Sequence, residues 1–333
     1  MSGSSEYEAY LNRKLYHPTN AQMDWIPYKG YPAKPETLLW ASDNEKYIFE
    51  SVLNKNWDEI FEFLLNYGID YSHLMDTKYN IESTIQYYIQ NPITYKLNTY
   101  QLRSDEFSLN ETGNVFLGCS DTFGVGQSWE HTWPYILSKI AFPDDKIYNL
   151  GVPGSGSDTA FRILNHLKNK IKIKNIFHWL PVRHRYEIYL GNDKNNPSIA
   201  SIIIDSNGTT SDYISGYTQV TPQTEIDNGL FSNEYIMNSM STNTSLSITD
   251  LKNILAIKSI ANTLGINYYV GNFNININGY DNSVQSDVYE YFKSNNIPKK
   301  LEARDLQHMR IYDNAKVITN FLTAVKKTNK NII

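Results

Sequence analysis

The amino-acid sequence predicts an α/β fold with a mainly parallel sheet, preceded by a helical and irregular extension. From about residue 113 onward, short apolar runs alternate with amphipathic helical stretches, the rhythm of a parallel sheet covered by helices. The first run, Val115-Phe116-Leu117, turns at Gly118 and delivers Cys119 and Ser120 just past the strand's end, ahead of a helix. A strand, a glycine-flanked serine and a helix form the layout that presents a nucleophile at the carboxyl edge of such a sheet. The chain of 333 residues is long enough for a full α/β core and a second module, since domains usually run to roughly 100–200 residues.

Composition excludes several classes. A formal net charge of -5 argues against a dedicated nucleic-acid binder, which would carry a concentrated basic face. The basic runs Lys168–Lys174 and Lys326–Lys330 follow or end helices and read as solvated helix termini. One cysteine rules out an internal disulfide. The opening MSGSSEYEAY has neither a basic n-region nor an apolar h-region, and no apolar run approaches the roughly 18 residues of a membrane span, so synthesis in a cytoplasm without a signal peptide is expected. The 26 tyrosines, with abundant Asn, Ile and Lys, suit an AT-rich genome, that of a virus or of an AT-rich bacterium. The same residues also build carbohydrate-facing surfaces, offering flat apolar faces beside hydrogen-bonding groups.

In chain order, residues 1–40, with prolines at 18, 27, 32 and 35, read as an irregular arm. Asp43 starts a helical pattern. Asn56 caps a clearer one, with Trp57, Ile60, Phe61, Leu64 and Leu65 on one face and Gly68 at its end. Residues 84–103 read as a short helix and then extended chain. Residues 1–112 thus form an extension for which the sequence names no chemistry, a candidate surface for homo-oligomer or virion association. Lys146–Leu150 is the second strand, and the GVPGSGSDT that follows holds backbone N–H groups able to face an anion or an oxyanion. Ser157-Asp158 opens a helix carrying Ala160, Ile163, Leu164 and Leu167. Asn175–Leu180 is the third strand. Residues 186–248 break the rhythm: a polar, Tyr-rich insertion with a hairpin around Asn207-Gly208 and no strong helix, expected to lie over the site as a cap. Thr249 caps the next helix, Ile266–Val270 is the fourth strand, and a terminal helix sets Tyr312, Ala315, Ile318, Leu322 and Val325 on one face.

An alcohol nucleophile needs a base, and the base needs an orienting partner. Asp305 and His308, in the turn before the last helix, place a carboxylate against imidazole Nδ1 and leave Nε2 for Ser120. Cys119 is the lesser nucleophile candidate, because its side chain should point away from the one at 120. With this constellation the chain resembles the SGNH (GDSL-like) hydrolase family over about residues 113–327. Gly118-Cys119-Ser120 with Asp121-Thr122-Phe123-Gly124 looks like the first family block, Asn149–Gly154 like the second, and Asp305-Leu306-Gln307-His308 like the last. The pattern is similar to serine-hydrolase domains encoded by phages and other viruses. The resemblance implies a flavodoxin-like three-layer α/β/α sandwich and a serine esterase or acyl hydrolase without metal or cofactor. It further implies an oxyanion hole from the N–H groups of Ser120 and Gly154, and a small-molecule or glycan ester as substrate. Two departures stand out. Cys119 replaces the usual Asp before the nucleophile. The third block's asparagine, a donor to the oxyanion hole, is missing after the third strand, where Arg183 or His184 stands as the replacement. Gly191-Asn192-Asp193 spells that motif but lies too far along and reads as a hairpin turn.

Overall fold

The structure, a computed structural model, describes residues 35–67, 78–181, 184–190, 198–204, 210–211, 243–272, 282–298, 301–306 and 308–330. The extension contributes β1 (Glu36–Leu38), α1 (Asp43–Val52), α2 (Trp57–Asn66), α3 (Lys78–Gln90) and β2 (Tyr95–Leu97), with β1 and β2 paired antiparallel. The arm expected over 1–40 is therefore ordered into a strand at its end. Ser42 caps α1 by accepting the N–H of Glu45 at 3.0 Å, and Asn56 caps α2 in a reciprocal box with Glu59. Ile60 and Leu64 are the buried residues of α2, whereas Leu65, expected on the same face, is exposed because it lies about 100° around the helix from Leu64. Gly68, the expected stop, lies outside the described residues.

The central sheet holds β3 (Thr112–Leu117), β4 (Lys146–Asn149), β5 (Lys172–Trp179) and, much later, β9 (Asn267–Gly271). All its pairings are parallel and the spatial order is β4-β3-β5-β9. The chain steps from β3 to one side and returns to the other, so the carboxyl ends of β3 and β5 flank a topological switch point. Between these strands run α4 (Ser120–Phe123), a 3-10 turn at Trp129–His131, α5 (Trp133–Ala141) and α6 (Ser157–Leu167). A separate three-stranded antiparallel sheet, β6 (His184–Leu190), β7 (Ser198–Ile204) and β8 (Thr210–Ser211), falls in the expected cap. The β7–β8 hairpin embraces Asn207-Gly208 as expected, although those two residues lie outside the described ones.

Helices cover both faces. On one, Phe116 and Phe177 pack with Trp133, Ile136 and Leu137 of α5, with Val284, Val288 and Phe292 of α8 (Asn282–Ser294), and with Ile318, Phe321 and Leu322 of α9 (Ile311–Lys330). On the other, Val115, Leu117, Tyr148 and Ile176 meet Ala160, Ile163 and Leu164 of α6 and Ile257 and Ala261 of α7 (Asn243–Leu264). Alternation along β3 assigns successive side chains to opposite layers. Two rows cross the sheet. Phe116, Phe177 and Tyr269 stack at centroid distances of 5.4 and 5.1 Å. Two residues upstream, Asn175 donates to Asn114 at 2.8 Å and accepts from Asn267 at 3.1 Å.

Several expected boundaries are corrected. α7 begins at Asn243, so Thr249 sits inside the helix and is not its cap. α6 does open at Ser157 as expected, with Gly156 as its cap residue and the Ser157 hydroxyl donating to Asp250 of α7 at 2.7 Å. α8 was not expected; its apolar residues at 284, 288 and 292 recur every four positions among polar neighbours. Tyr312 is exposed, turned from the face that Ala315 and Ile318 bury. Among the described residues no helix is long and apolar enough to cross a membrane.

Candidate active site

Two loops at the carboxyl ends of β3 and β4 meet a third, the turn between α8 and α9, at the switch point. The first carries Ser120. Gly118 has φ +154°, and a Cβ there would stand 2.7 Å from the carbonyl oxygen of Trp179 at the end of β5. Only glycine lets the chain leave β3 so close to its neighbour. Ser120 then opens α4 and is 6 % exposed; the Cys119 carbonyl accepts the N–H groups of Thr122 (3.1 Å) and Phe123 (2.9 Å). Among the described residues Ser120 Oγ is paired with Cys119 Sγ, at 3.9 Å, and not with His308. Successive side chains here share one side of the chain, against the expectation that they diverge, because the turn at Gly118 ends the strand's alternation.

The second loop is tied to the first. Asn149 donates to the Thr122 carbonyl at 2.7 Å and accepts the N–H of Gly151 at 2.9 Å. The carbonyl of Gly118 accepts both the Val152 N–H (3.1 Å) and the Ser155 hydroxyl (3.3 Å). Gly154, buried with φ +78°, sits between those two donors, and so lies beside the backbone that leads into Ser120.

The third loop holds the acid–base pair. Asp305 is buried; its Oδ1 accepts the His308 backbone N–H at 3.1 Å and its Oδ2 is hydrogen-bonded to Nδ1 of the ring. One carboxylate thus fixes both the backbone and the imidazole of His308, whose side chain is 25 % exposed. Leu306, between them, has φ +57°, a conformation that costs a branched side chain about 1–2 kcal/mol. Its side chain is held by Ile48, Val52, Ile60, Leu64 and Ile81 of the extension helices, which keep the turn in that shape.

The first and third loops are joined on both flanks of this pair. Arg304 donates its N–H to the Gly126 carbonyl at 2.8 Å, and the Gln127 side-chain amide donates to the Met309 carbonyl at 2.5 Å. Behind them lies a buried ionic cluster. Arg103 donates to the carbonyls of Phe123 (3.1 Å), Gly124 (2.7 Å) and Gln127 (2.9 Å). Burial lowers its guanidinium to about 10, still cationic at neutral pH. Glu45 lies 2.8 Å from Arg304, and burial raises its carboxyl while Arg304 pulls it back.

Glu302, three residues before Asp305, is pushed up to about 7 by burial, and its Oε1 has no hydrogen-bond partner among the described residues. A folded-state value above the unfolded one favours the protonated form, so this group's stabilisation is complete below about pH 4.5 and lost as pH rises through about 7. Glu302→Gln should therefore melt higher than the wild type at pH 8 and level with it near pH 4, as thermal melts across that range would read.

His178, on β5, is no rival base: burial drives its imidazole down to about 3, and its Nδ1 faces the Tyr268 hydroxyl at 3.0 Å. Arg183 and the Gly191-Asn192-Asp193 turn lie outside the described residues. His184 begins β6, and its side chain also lies outside them. Among the described residues no three His, Cys, Asp or Glu side chains converge as metal ligands would. The sequence reading missed Glu45, Tyr95, Arg103 and Arg304; the available signal was a charged residue beside an apolar one in Leu102-Arg103 and Ala303-Arg304.

No family model, curated protein or solved structure matches the chain.

Proposed function

We propose that this chain is a serine ester hydrolase of the SGNH (GDSL-like) type on a flavodoxin-like three-layer α/β/α sandwich. The observation that carries the reading is the Asp305 carboxylate gripping Nδ1 of His308 on a turn fastened beside the Ser120 loop. With Nδ1 occupied, Nε2 is the basic nitrogen. For the reaction the Ser120 hydroxyl has to leave Cys119 and turn to that nitrogen, a contact of the kind that commonly tightens only with substrate bound. Ser120 Oγ then attacks the ester carbonyl while His308 Nε2 takes its proton. The N–H groups of Ser120 and Gly154 face the developing oxyanion. His308 returns the proton to the departing alcohol, and a water activated by the same imidazole releases the acid. An O-acetyl ester on a carbohydrate is the preferred substrate, supported by the polar, Tyr-rich insertion 186–248 and by family analogy.

A second reading, a glycan-binding or structural module that keeps this fold, is favoured by the pairing of Ser120 with Cys119 and by the missing third-block asparagine. A fluorophosphonate probe separates the two. Labelling at Ser120, with p-nitrophenyl acetate hydrolysis that vanishes in Ser120→Ala and rises between pH 5 and 9 through a histidine-like midpoint, is expected of the hydrolase. Folded protein that is neither labelled nor faster than Ser120→Ala would leave the binding module.

A further inference from the structure

We propose that Tyr95, with Glu45, is a positioning residue that sets the Ser120 loop against the Asp305–His308 turn, making the extension a working part of the site. The inference rests on the hydrolase reading for its kinetic consequence, though not for its geometry. Tyr95 is wholly buried in β2, and its hydroxyl faces the Gly126 turn and α1 at once. It accepts the N–H of Gly126 at 2.9 Å and donates to Glu45 Oε1 at 2.6 Å. The same Oε1 accepts Arg304 Nε and lies 2.8 Å from its Nη2, while Oε2 accepts the N–H of Ala41 at 2.6 Å. Arg304 directly precedes Asp305, and Gly126 belongs to the turn that follows α4. The path Gly126–Tyr95–Glu45–Arg304 therefore spans from the nucleophile's loop to the acid–base turn through a single phenol and a single carboxylate.

The ring is fixed as firmly as its hydroxyl. It stacks on Phe123, the last residue of the helix that Ser120 opens, at 5.6 Å, and the Arg103 guanidinium lies 4.6 Å from its centroid. Arg304 in turn lies 4.1 Å from the Trp40 ring and donates to the Leu39 carbonyl at 2.6 Å. Among the described residues, every partner that holds Arg304 through its side chain thus comes from residues 39–95, outside the segment that resembles a hydrolase. A nucleophile and base tolerate little misplacement, since an error of about 1 Å costs on the order of 10²-fold in rate.

Tyr95→Phe removes one oxygen and keeps the ring. With the folded fraction counted by a thermal melt, so that lost stability does not enter, it is expected to lower kcat per folded molecule for p-nitrophenyl acetate ten- to a hundredfold with KM within about twofold. A second readout needs no activity: the downfield proton resonance of His308 Nδ1–H, assigned by its loss in His308→Ala, should shift or broaden in Tyr95→Phe. Glu45→Gln, isosteric with the native residue, takes the same two measurements and serves alone if Tyr95→Phe does not fold. Wild-type kcat together with an unchanged resonance in a folded variant overturns the proposal. If the wild type hydrolyses nothing, the hydrolase reading fails by itself and the resonance decides: a shift upholds the positioning role, no shift overturns it.

Discussion

Asp305→Asn is expected to cut kcat for a simple ester by about 10⁴ while leaving the protein folded. An asparagine of the same shape would still accept the His308 backbone N–H through its amide oxygen. Its NH₂ group, however, would face Nδ1 where the carboxylate now stands. The ring then takes the tautomer with its proton on Nε2, the atom that must receive the proton of Ser120. The imidazolium formed on attack also loses its counter-charge. Steady-state rates beside a thermal melt would test this; a folded variant within tenfold of the wild type would mean that Asp305 orients a structural histidine.

Gly126→Ala should have the second-largest effect, this time on stability and rate together. Gly126 has φ +71°, and a Cβ there would stand 2.7 Å from the Arg304 backbone nitrogen and 2.9 Å from the Ala303 Cβ. Neither is the free end of a flexible side chain. The left-handed conformation costs an alanine about 1–2 kcal/mol and the steric conflict about 1–3 more, so a loss of about 2–5 kcal/mol is expected. Relief comes by parting the Gly126–Arg304 contact, which separates Ser120 from His308. Chemical denaturation should therefore show the loss of stability, and labelling at Ser120 should slow in the fraction still folded. A variant as stable and as readily labelled as the wild type would show that the two loops do not need their close approach.

Much of the central sheet is legible in the sequence because its strands are short runs dominated by apolar and aromatic residues. Val115–Leu117, Lys146–Leu150 and Ile266–Val270 can be placed to within a few residues, since a strand buried on both faces has few other uses for such a run. The Asp305–His308 pair is legible because the two residues are local and stand where a parallel sheet delivers its last loop. The extension's share in the site is not. Glu45, Tyr95 and Arg304 meet across some 260 positions of chain, and although Tyr95 stands in the alternating stretch Thr94-Tyr95-Lys96-Leu97, no pattern in the sequence joins the three. A charge buried opposite a partner so distant looks, in sequence, like any solvated charge. Helix boundaries fail for a different reason. The opening of α7, Asn243-Thr244-Ser245, is rich in residues that bond their own backbone and favour turns, so its sequence carries no signal of a helix start. Val284, Val288 and Phe292 needed a window long enough to see three apolar residues among polar ones.

The asparagine row across the sheet bears on how the chain finds its fold. β9 joins β5 only after 87 intervening residues, from 180 to 266, which include three strands of a different sheet. Apolar strands alone would tolerate several offsets, because one valine or tyrosine serves nearly as well as the next. Asn175 does not. It is nearly fully buried, and its amide is matched only when Asn114 stands on one side and Asn267 on the other. A slip of β9 by one residue would leave the buried Asn175 Oδ1 without the Asn267 amide that donates to it, at about 1–3 kcal/mol. The row thus acts as a proofreading key for the late-arriving strand, accepting one alignment and rejecting its neighbours. The same alignment sets how far β9 reaches past β5: Leu180, just beyond the end of β5, donates its N–H to the Gly271 carbonyl at 2.8 Å. A mistake at one end of the sheet would in this way be felt at the other.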